Sequence, residues 1–523
     1  MKKTIWTIAG SDASGGAGIQ ADIKAMASFG LQGATVITAL TAQNSAAVLA
    51  VNPMSIAIIA SQLSALEQDK LPQVIKIGLL ANIEQVNFIA EKISHYKNTW
   101  EQPPCVVYDP VAVASTGDSL VEEDILATIK EKLLPLIDVI TPNTAETQRL
   151  TGVYLISPQA VKDAGQVFAE LGVKTVVIKG GHWDYIDDYC IDYCADFSLD
   201  GMQNNPLEYW LASENIATMH SHGTGCSFAS VFASCLTLEY PIKDAFILAK
   251  AYINQGLKAA KQVAYGVGSV VHLGFPENIL DFPEVIEAPS LLGQQLGLTL
   301  DLDNGCDVSL LNADNSTSFA ACPQSLGLYA VMDSIEWLQR CFQQGIKTAQ
   351  LRIKDSADPQ LSNKIAQAVE LAKQYQAKLF INDHWQLAIE HGAYGVHLGQ
   401  EDLDSANLVA IKKAGLRLGI STHGFYEMLR AHNYKPSYLA FGAIFPTQTK
   451  DMTGQIQGLA KLTHFVALMK NYPSVAIGGI TLENIEKVVK TRVKSIALVT
   501  AITKAVDYPT VIAKLIDKQK LIV

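Results

Sequence analysis

The chain lacks long apolar runs, an excess of basic residues and a paired cysteine pattern. No stretch reaches the roughly 18 consecutive apolar residues of a transmembrane helix, so we expect no membrane partner. Acidic residues outnumber Lys and Arg, and the formal net charge of −11 argues against a general nucleic-acid binder. The eight cysteines show no disulfide-like spacing, which is typical of reduced thiols in a cytoplasmic protein.

The chain does contain enough apolar sequence for two large α/β domains, since 49% of its 523 residues are hydrophobic. In residues 1–280, short apolar strands alternate with helix-like stretches, which predicts a parallel sheet covered by helices on both faces. Residues 281–325 are rich in Pro, Ser, Asn and Asp without a sustained period, which predicts a connecting segment. Four strands are predicted in the first part: Thr4–Ala9, Val106–Tyr108, Val139–Ile140 and Thr175–Ile178.

A regular strand–helix period begins at Leu326 and continues through residues 326–523. Eight such units in about 200 residues are typical of a compact (β/α)₈ barrel, whose active site lies at the carboxyl ends of the strands. Polar residues follow nearly every strand, which supports a site at that end. The predicted strands are 326–332, 347–353, 377–382, 394–399, 416–421, 438–444, 475–480 and 495–500.

Two glycine-rich turns in the N-terminal half each precede a helix. The first, AGSDASGGAGIQADIKA, lets backbone N–H groups approach an anion or a small ligand. A tight strand–helix turn that binds no ligand would have the same sequence pattern. The second, HSHGTGCSFASVFASCL, places Cys226 in the first turn of a helix, where N–H groups converge on an anion hole. A cysteine there is expected to have a lowered pKa. The alternative is a buried structural cysteine.

Three further stretches place polar side chains directly after apolar strands. VVYDPV supplies Asp109, ITPNTAE supplies Asn143 and Glu146, and VVIKGGH supplies Lys179. Acidic groups at strand ends suit Mg²⁺ that bridges phosphates, and a lysine suits phosphate neutralisation. Their shared position predicts a phosphate site at one edge of the sheet.

The motif set AGSDASGGAGIQAD, TALTAQNS, KIGLL, DPV, TPNTAE, KGGH and HGTGC resembles hydroxymethylpyrimidine/phosphomethylpyrimidine kinases of the ribokinase-like superfamily. It runs in this order over roughly residues 3–270. The resemblance implies a ribokinase-like α/β sandwich that phosphorylates hydroxymethylpyrimidine and then its monophosphate, with ATP as co-substrate and Mg²⁺. Gln43 would read the pyrimidine edge, with Gly10 and Asp22 in the same pocket. A pyridoxal-type kinase is the rival, and pyridoxal as a side substrate stays open.

The same resemblance implies roles around the phosphates of ATP. Asp109 and Glu146 would bind Mg²⁺, and Asn143 would act beside them. Lys179 would contact the ATP phosphate. The anion hole would be formed by Gly223, Thr224, Gly225 and Cys226, with Thr224 also counted at the ATP site.

The barrel sequence contains cations and carboxylates that could hold a pyrophosphate. Arg352 and Lys354 alternate along one predicted strand, so both should face the same side as a pyrophosphate clamp. Asp383 and Asp402 end successive strands and could share one Mg²⁺. The last two strands end in positions where barrels often bind phosphate through backbone N–H groups.

These stretches resemble thiamine phosphate synthase over about residues 326–515. The resemblance implies that pyrophosphate leaves, that a pyrimidine-methyl cation forms, and that the nitrogen of a thiazole phosphate captures it. Asp383 and Asp402 would bind Mg²⁺, and Ser421 and Lys450 would stabilise the leaving pyrophosphate. The pyrimidine pyrophosphate would be held by Gln350, Arg352, Lys354 and Asn382, and the thiazole phosphate by Thr447, Thr449, Gly479, Val499 and Thr500.

Two alternatives remain for the barrel: a thiazole tautomerase, and a non-catalytic sensor fused to an active kinase. The retained pyrophosphate residues favour the synthase. Because enzymes of both families are often oligomeric, we also expect a homo-oligomer acting on small-molecule substrates.

Overall fold

The computed structural model divides into two compact units, Met1–Asp301 and Leu302–Val523. None of the helices in the described part of the chain combines the length and apolar character needed to cross a membrane. The structure describes residues 2–44, 47–111, 125–180, 188–198, 206–260, 267–286, 292–293, 296–298, 318–447 and 456–520.

A ten-stranded sheet forms the centre of the first unit, in the order β10-β9-β8-β7-β6-β5-β4-β1-β2-β3. Its six central strands, from β7 to β2, are parallel, and antiparallel strands flank them on both sides. The strands are β1 Thr4–Asp12, β2 Gln32–Gln43, β3 Val48–Pro53, β4 Val74–Ile77, β5 Cys105–Tyr108, β6 Val139–Ile140, β7 Thr175–Ile178, β8 Tyr189–Asp196, β9 Leu207–Glu214 and β10 Glu284–Ile286.

Helices cover this sheet, and the buried central strands β4 and β7 have no exposed residue. Burial on both faces explains why β7 has an apolar run rather than an alternating pattern, whereas β4 also contains the buried Lys76. The predicted α/β architecture is confirmed. The helices are α1 Gly18–Ser28, α2 Ile56–Glu67, α3 Ile83–Thr99, α4 Ile125–Thr128, α5 Thr144–Thr151, α6 Pro158–Glu170, α7 Thr224–Thr237 and α8 Ile242–Ala259.

Part of the predicted connecting segment belongs to the first unit. Residues Glu284–Ile286 form β10, which pairs antiparallel with β9. Leu298 is buried in the same core, where Leu292 and Leu296 pack against it. Most of the remaining segment lies outside the described residues, so its role stays a prediction.

Eight parallel strands of the second unit close into a barrel in sequence order, as predicted. They are β11 Gly327–Met332, β12 Thr348–Leu351, β13 Lys378–Asn382, β14 Gly395–Leu398, β15 Arg417–Thr422, β16 Tyr438–Phe441, β17 Ser474–Ala476 and β18 Ser495–Leu498. The helices around them are α9 Ile335–Gln343, α10 Leu361–Gln374, α11 Trp385–Glu390, α12 Leu408–Lys413, α13 Phe425–Asn433, α14 Gly458–Leu468, α15 Ile485–Val489, α16 Thr500–Thr503 and α17 Tyr508–Gln519.

Aromatic side chains fill the barrel interior below its carboxyl end. Tyr329, Phe380 and Tyr438 pack together, with ring centroids 5.1–6.0 Å apart. Glycines face two of these rings: a Cβ at Gly419 would lie 2.1 Å from Tyr438, and one at Gly395 would lie 2.6 Å from Phe380. Only glycine fits opposite such large rings, and the resulting floor supports the polar residues above it.

Candidate active sites

The predicted phosphate residues of the first unit lie at one edge of its sheet. Asp109 directly follows β5 and Lys179 directly follows β7, while Asn143 comes three residues after β6. Because these strands are parallel and adjacent, their carboxyl ends meet at the same edge. The sequence prediction of a common edge is therefore confirmed by the topology.

Asp109 and Lys179 form the ion pair at the centre of this edge. The Lys179 Nζ lies 2.9 Å from Asp109 Oδ1. The other carboxylate oxygen, Oδ2, is buried and has no hydrogen-bond partner among the described residues. Burial alone would lower the pKa of Lys179, but the carboxylates of Asp109 and Glu146 raise it overall. Lys179 is therefore a permanent cation beside a carboxylate oxygen that can accept a further ligand.

Asn143 and Glu146 form a capping box at the start of α5. The Asn143 side chain accepts the backbone N–H of Glu146 at 2.9 Å, and the Glu146 carboxylate accepts the backbone N–H of Asn143 at 2.8 Å. Burial, together with repulsion from Asp109, raises the pKa of Glu146 to about 7, against the opposing effect of Lys179. This pair has a structural role that is typical of its sequence pattern, and the raised pKa of Glu146 reflects burial first and the neighbouring Asp109 carboxylate second.

The HGTGC turn brings the first turn of α7 against the same ion pair. Gly223 has a φ of 79°, in the left-handed region that favours glycine. A Cβ at Gly225 would lie 3.3 Å from Lys179 Nζ and 3.8 Å from Asp109 Oδ2. The first N–H groups of a helix have no intrahelical acceptor. The turn therefore combines unpaired backbone donors with the Lys179 ammonium in one place.

The prediction of a lowered pKa for Cys226 was wrong. Burial raises the pKa of its thiol to about 12, which exceeds the opposing effect of the Lys76 ammonium. The carboxylates of Asp109 and Asp22 raise it further. The thiol therefore stays neutral at ordinary pH, because removal from water and nearby carboxylates outweigh the helix N-terminus.

The three residues predicted for the pyrimidine pocket occupy different environments. Asp22 is fully buried, and its carboxylate contacts Lys76 Nζ at 3.1 Å and accepts hydrogen bonds from Thr7 and Ser230. Gln43 is half-buried at the end of β2, where it accepts a hydrogen bond from a neighbouring threonine. A Cβ at Gly10 in β1 would lie 2.9 Å from Leu79, so the backbone there has no room for a side chain.

The barrel holds a cavity of about 440 Å³ at the carboxyl ends of its strands. Ten of the predicted residues line it: Gln350, Arg352, Asn382, Asp383, Asp402, Ser421, Thr447, Gly479, Val499 and Thr500. Lys354 is exposed and is not among the lining residues. The predicted Thr449 and Lys450 lie outside the described residues.

Arg352 and Lys354 do not share a strand as predicted. β12 ends at Leu351, so both cations belong to the loop that follows it. The alternating side-chain directions of a strand therefore do not make Arg352 and Lys354 face the same side. Arg352 contributes to the cavity wall, whereas Lys354 lies farther along the loop.

A chain of hydrogen bonds runs along one wall of the cavity to a pair of carboxyl groups. Gln350 donates to the Asn382 side chain at 2.5 Å, and Asn382 donates to the Asp383 carboxylate. Asp383 lines the cavity, although the residue as a whole is exposed. Withdrawal of its carboxyl from water and repulsion from the neighbouring Asp402 raise the pKa of Asp383 to about 6. Neighbouring carboxylates repel each other, so binding of a proton or a metal cation is favoured at this place.

A second chain, which the sequence analysis did not predict, orients Ser421. His397 Nε2 lies 2.8 Å from Ser421 Oγ, and its Nδ1 lies 2.7 Å from the Tyr438 hydroxyl, which in turn lies 2.8 Å from the Tyr329 hydroxyl. Burial, followed by Arg352 and His423, lowers the pKa of His397 to about 3. The imidazole is therefore neutral, with one nitrogen donating and the other accepting. Every second residue of a barrel strand faces the interior, and this pattern could have identified His397, Tyr438 and Tyr329 from the sequence.

Glycines form the opposite wall of the cavity. Gly478 and Gly479 have φ values of 101° and 62°, and a Cβ at Gly479 would lie 2.4 Å from the Pro446 carbonyl oxygen. Val499 and Thr500 open a short helix beside them. At Gly478 and Gly479 this wall has no side chains, so only backbone groups can face the cavity there.

Comparison with known proteins assigns each half of the chain. The phosphomethylpyrimidine kinase family model matches residues 12–271, and the thiamine monophosphate synthase family model matches residues 326–502. Over 204 residues the chain is 55% identical to the thiamine-phosphate synthase of Serratia proteamaculans, covering 39% of this chain and 96% of that protein. It is 56% identical over 203 residues to that of Pectobacterium atrosepticum, covering 39% and 95%. The solved phosphomethylpyrimidine kinase of Clostridium difficile 630 is 33% identical, with 49% and 99% coverage and a TM-score of 0.41.

The two matched ranges fall in different units of the structure, one within Met1–Asp301 and the other within Leu302–Val523. The resemblance predicted for each half is therefore confirmed. The chain belongs to the phosphomethylpyrimidine kinase family in its N-terminal half and to the thiamine-phosphate synthase family in its C-terminal half, and it is a bifunctional enzyme of thiamine biosynthesis.

Proposed function

We propose that the first unit transfers phosphoryl groups from ATP to hydroxymethylpyrimidine and then to its monophosphate, and that the barrel joins the resulting pyrophosphate to a thiazole phosphate. The products would be thiamine phosphate and pyrophosphate. The observation that carries the proposal is that one chain groups charged and polar residues at two separate places suited to phosphate chemistry. One is the Asp109–Lys179 edge beside the turn at Gly225, and the other is the cavity bounded by Arg352 and Asp383.

In the kinase site, positioning and charge neutralisation would supply most of the rate. Lys179 would neutralise charge on the phosphate that is transferred. The N–H groups of Gly225 and Cys226 would hold its oxygens, since both lie in the first turn of α7. A loose transition state does not require the acceptor hydroxyl to lose its proton early. The neutral thiol of Cys226 is therefore compatible with a role beside the transferred group.

The kinase residues fit a magnesium ion. The buried Oδ2 of Asp109 lacks a hydrogen-bond partner among the described residues, and Glu146 is crowded by negative charge. Oxygen ligands of this kind suit Mg²⁺, which usually takes one or two carboxylates and completes its shell with phosphates and water. Bound there, Mg²⁺ would neutralise charge that develops on the phosphates.

In the barrel, the residues of the cavity would hold the pyrophosphate while its bond to the pyrimidine methyl breaks. Arg352 supplies a cation on the cavity wall. Ser421 would donate its hydroxyl proton towards the leaving group, since His397 fixes its oxygen at 2.8 Å. Gln350 and Asn382 would contact the pyrimidine or its phosphates. Backbone groups near Gly479 and Thr500 would bind the phosphate of the thiazole.

Asp383 and Asp402 also fit Mg²⁺, because the Asp402 carboxylate disfavours ionisation of Asp383 without a cation. Within the described residues, no group of three or more His, Cys, Asp or Glu side chains forms a metal site. The pyrophosphate and water would therefore complete the shell, as is usual for Mg²⁺. The ion would supply Lewis-acid stabilisation of the leaving group.

The close identity of the barrel to curated thiamine-phosphate synthases supports condensation over the tautomerase and sensor alternatives. Substrate choice in the first unit rests on Gln43, whose half-buried amide can read the edge of a heterocycle.

A single coupled reaction tests the proposal. The purified protein is supplied with ATP, Mg²⁺, hydroxymethylpyrimidine and thiazole phosphate, and thiamine phosphate is measured. Arg352→Ala should stop thiamine phosphate formation while ADP release continues, and Cys226→Ala should stop ADP release while supplied pyrimidine pyrophosphate is still condensed. A wild-type protein that releases ADP but forms no thiamine phosphate would contradict the synthase assignment.

A further inference from the structure

Asp12, the last residue of β1, organises the first glycine-rich turn. Its carboxylate accepts the backbone N–H groups of Ser14, Gly16 and Ala17 at 2.8, 3.1 and 2.8 Å, and it also accepts the Ser14 hydroxyl. The turn therefore wraps around one buried carboxylate. An acid that accepts this many donors is held in its ionised form, and the pKa of Asp12 lies well below its usual range despite burial.

The same carboxylate contacts the second glycine-rich turn. His222 Nε2 lies 2.9 Å from Asp12 Oδ2, and both side chains are buried. The backbone of His222 is fixed on both sides, because its N–H donates to the Gly268 carbonyl and its carbonyl accepts the N–H of Val270. The pair thus joins two loops that are 210 positions apart in the sequence.

The backbones of the two turns touch where the pair holds them. A Cβ at Gly223 would lie 1.8 Å from the Gly16 carbonyl oxygen, and a Cβ at Gly16 would lie 2.3 Å from the His222 ring. No side chain can enter either position without separating the loops. His222 directly precedes Gly223, so its position sets where the first turn of α7 begins.

We propose that Asp12 and His222 form an interloop clamp, made of these two side chains. It sets the distance between the first glycine-rich turn, which lies between the predicted pyrimidine-pocket residues Gly10 and Asp22, and the phosphoryl-binding turn of the kinase. Both are positioning residues, since they act through the two turns. The clamp rests on the proposed function of Gly225 and Cys226 as the phosphoryl-binding turn. A displacement of about 1 Å between reacting groups can cost on the order of 10²-fold in rate.

Two polar substitutions of His222 distinguish positioning from simple stability. The side-chain nitrogen of Gln can occupy the position of His Nε2, so His222→Gln keeps the contact with Asp12. Asn reaches only the position of Nδ1, so His222→Asn loses it. His272→Asn is the matched control, because His272 is a partly buried histidine of the same unit that contacts Tyr252 at 2.8 Å.

The experiment measures ADP and the phosphoryl groups gained by the pyrimidine in the same reaction, with each pyrophosphate counted twice, together with condensation of supplied pyrimidine pyrophosphate by the barrel. For His222→Asn we expect kcat for phosphoryl transfer to fall on the order of 10²-fold, and more than one ADP to form per phosphoryl group gained by the pyrimidine. Water would then intercept the phosphoryl group because the acceptor is misplaced. His222→Gln should restore both values, and the His272→Asn control should keep the parental ratio of ADP to product.

Loss of folded protein lowers ADP and transferred phosphoryl groups together and leaves their ratio at one, so a ratio of one for His222→Asn overturns the clamp. A Gln variant as defective as the Asn variant overturns it as well. Failure of the proposed function is a separate result: Cys226→Ala would then transfer phosphoryl groups at the parental rate.

Discussion

Lys179 engages only one oxygen of the Asp109 carboxylate. The distance from Nζ to Oδ1 is 2.9 Å, while Oδ2 is buried and accepts no hydrogen bond from the described residues. An unpaired buried carboxylate oxygen is costly. This oxygen is therefore best explained as a ligand position that is completed when substrate and cation bind. The Asp109 carboxylate also raises the pKa of Lys179 and so keeps its ammonium protonated.

Asp109→Asn should reduce kinase turnover by roughly 10²–10³-fold, the usual cost of removing an electrostatic group at a phosphoryl-transfer site. The amide keeps the shape but removes a charged ligand, so half-saturation should require more Mg²⁺. ADP release is measured across a range of Mg²⁺ concentrations, with barrel condensation as the control. An unchanged Mg²⁺ dependence would place the ion elsewhere.

Cys226→Ala should cripple phosphoryl transfer and leave condensation of supplied pyrimidine pyrophosphate intact. Because burial raises the pKa of the thiol to about 12, the reactive thiolate is scarce at neutral pH. Alkylation of Cys226 by iodoacetamide should therefore be slow and should accelerate steadily up to about pH 10, without the plateau of a low-pKa cysteine. Mass spectrometry of the labelled peptide measures this rate. A plateau near neutral pH would contradict the raised pKa.

Arg352→Ala should reduce condensation by roughly 10²–10³-fold, because a cation is lost from the wall where the leaving group develops charge. Lys354 is exposed and lies off the cavity wall, so Lys354→Ala should act mainly through KM for the pyrimidine pyrophosphate. Thiamine phosphate is measured for both variants, and ADP release should stay near the parental rate. An equal loss of kcat in both would mean that Lys354 also reaches the pyrophosphate in the complex.

Asp383→Asn should abolish most condensation but stabilise the metal-free barrel at neutral pH. The pKa of Asp383 is raised to about 6, so the folded state binds a proton that the unfolded state has released. Stability should therefore fall as pH rises from about 4 to 6, and the deficit should persist above that window. Asn also tolerates the left-handed φ of 61° at this position, whereas Ala would add backbone strain.

Thermal unfolding of metal-free protein tests this prediction at about pH 4.5 and about pH 8. The variant should unfold at a higher temperature than the parent only at the higher pH, and added Mg²⁺ should stabilise the parent more than the variant. A variant that is less stable than the parent at the higher pH would show that Asp402 does not repel Asp383 in the folded protein.

Lys250→Met should destabilise the kinase unit by about 3–5 kcal/mol, the cost of leaving one member of a buried ion pair alone. Lys250 Nζ lies 2.6 Å from Asp192, whose carboxylate also accepts the N–H of Gly180, the residue after Lys179. Urea midpoints are followed by loss of kinase activity. Lys3→Met, which removes a far more exposed pair with Glu239, is the control and should cost less than about 1 kcal/mol. Equal midpoints for the two variants would contradict the prediction.

Regular elements and short motifs could be predicted from the sequence because they depend on local order. The apolar runs at Val139–Ile140 and Thr175–Ile178 coincide with β6 and β7, and the eight-strand period predicted the barrel. The antiparallel strands β8 and β9 were not predicted, since residues such as Asp192 break an otherwise apolar pattern. Asp192 is buried only because Lys250 from a distant helix neutralises it.

The sequence by itself determined the two families and the residue types at the strand ends, because glycine turns and charged residues after apolar strands can be read from neighbours in the chain. Only the tertiary structure decided the state of those residues. Cys226 stays a neutral thiol because burial, and after it the carboxylates of Asp109 and Asp22, raise its pKa. Asp12 meets His222 because two turns that are 210 positions apart in the sequence touch. A pKa and a contact of this kind depend on desolvation and on the summed field of residues far apart in sequence, which no local pattern encodes.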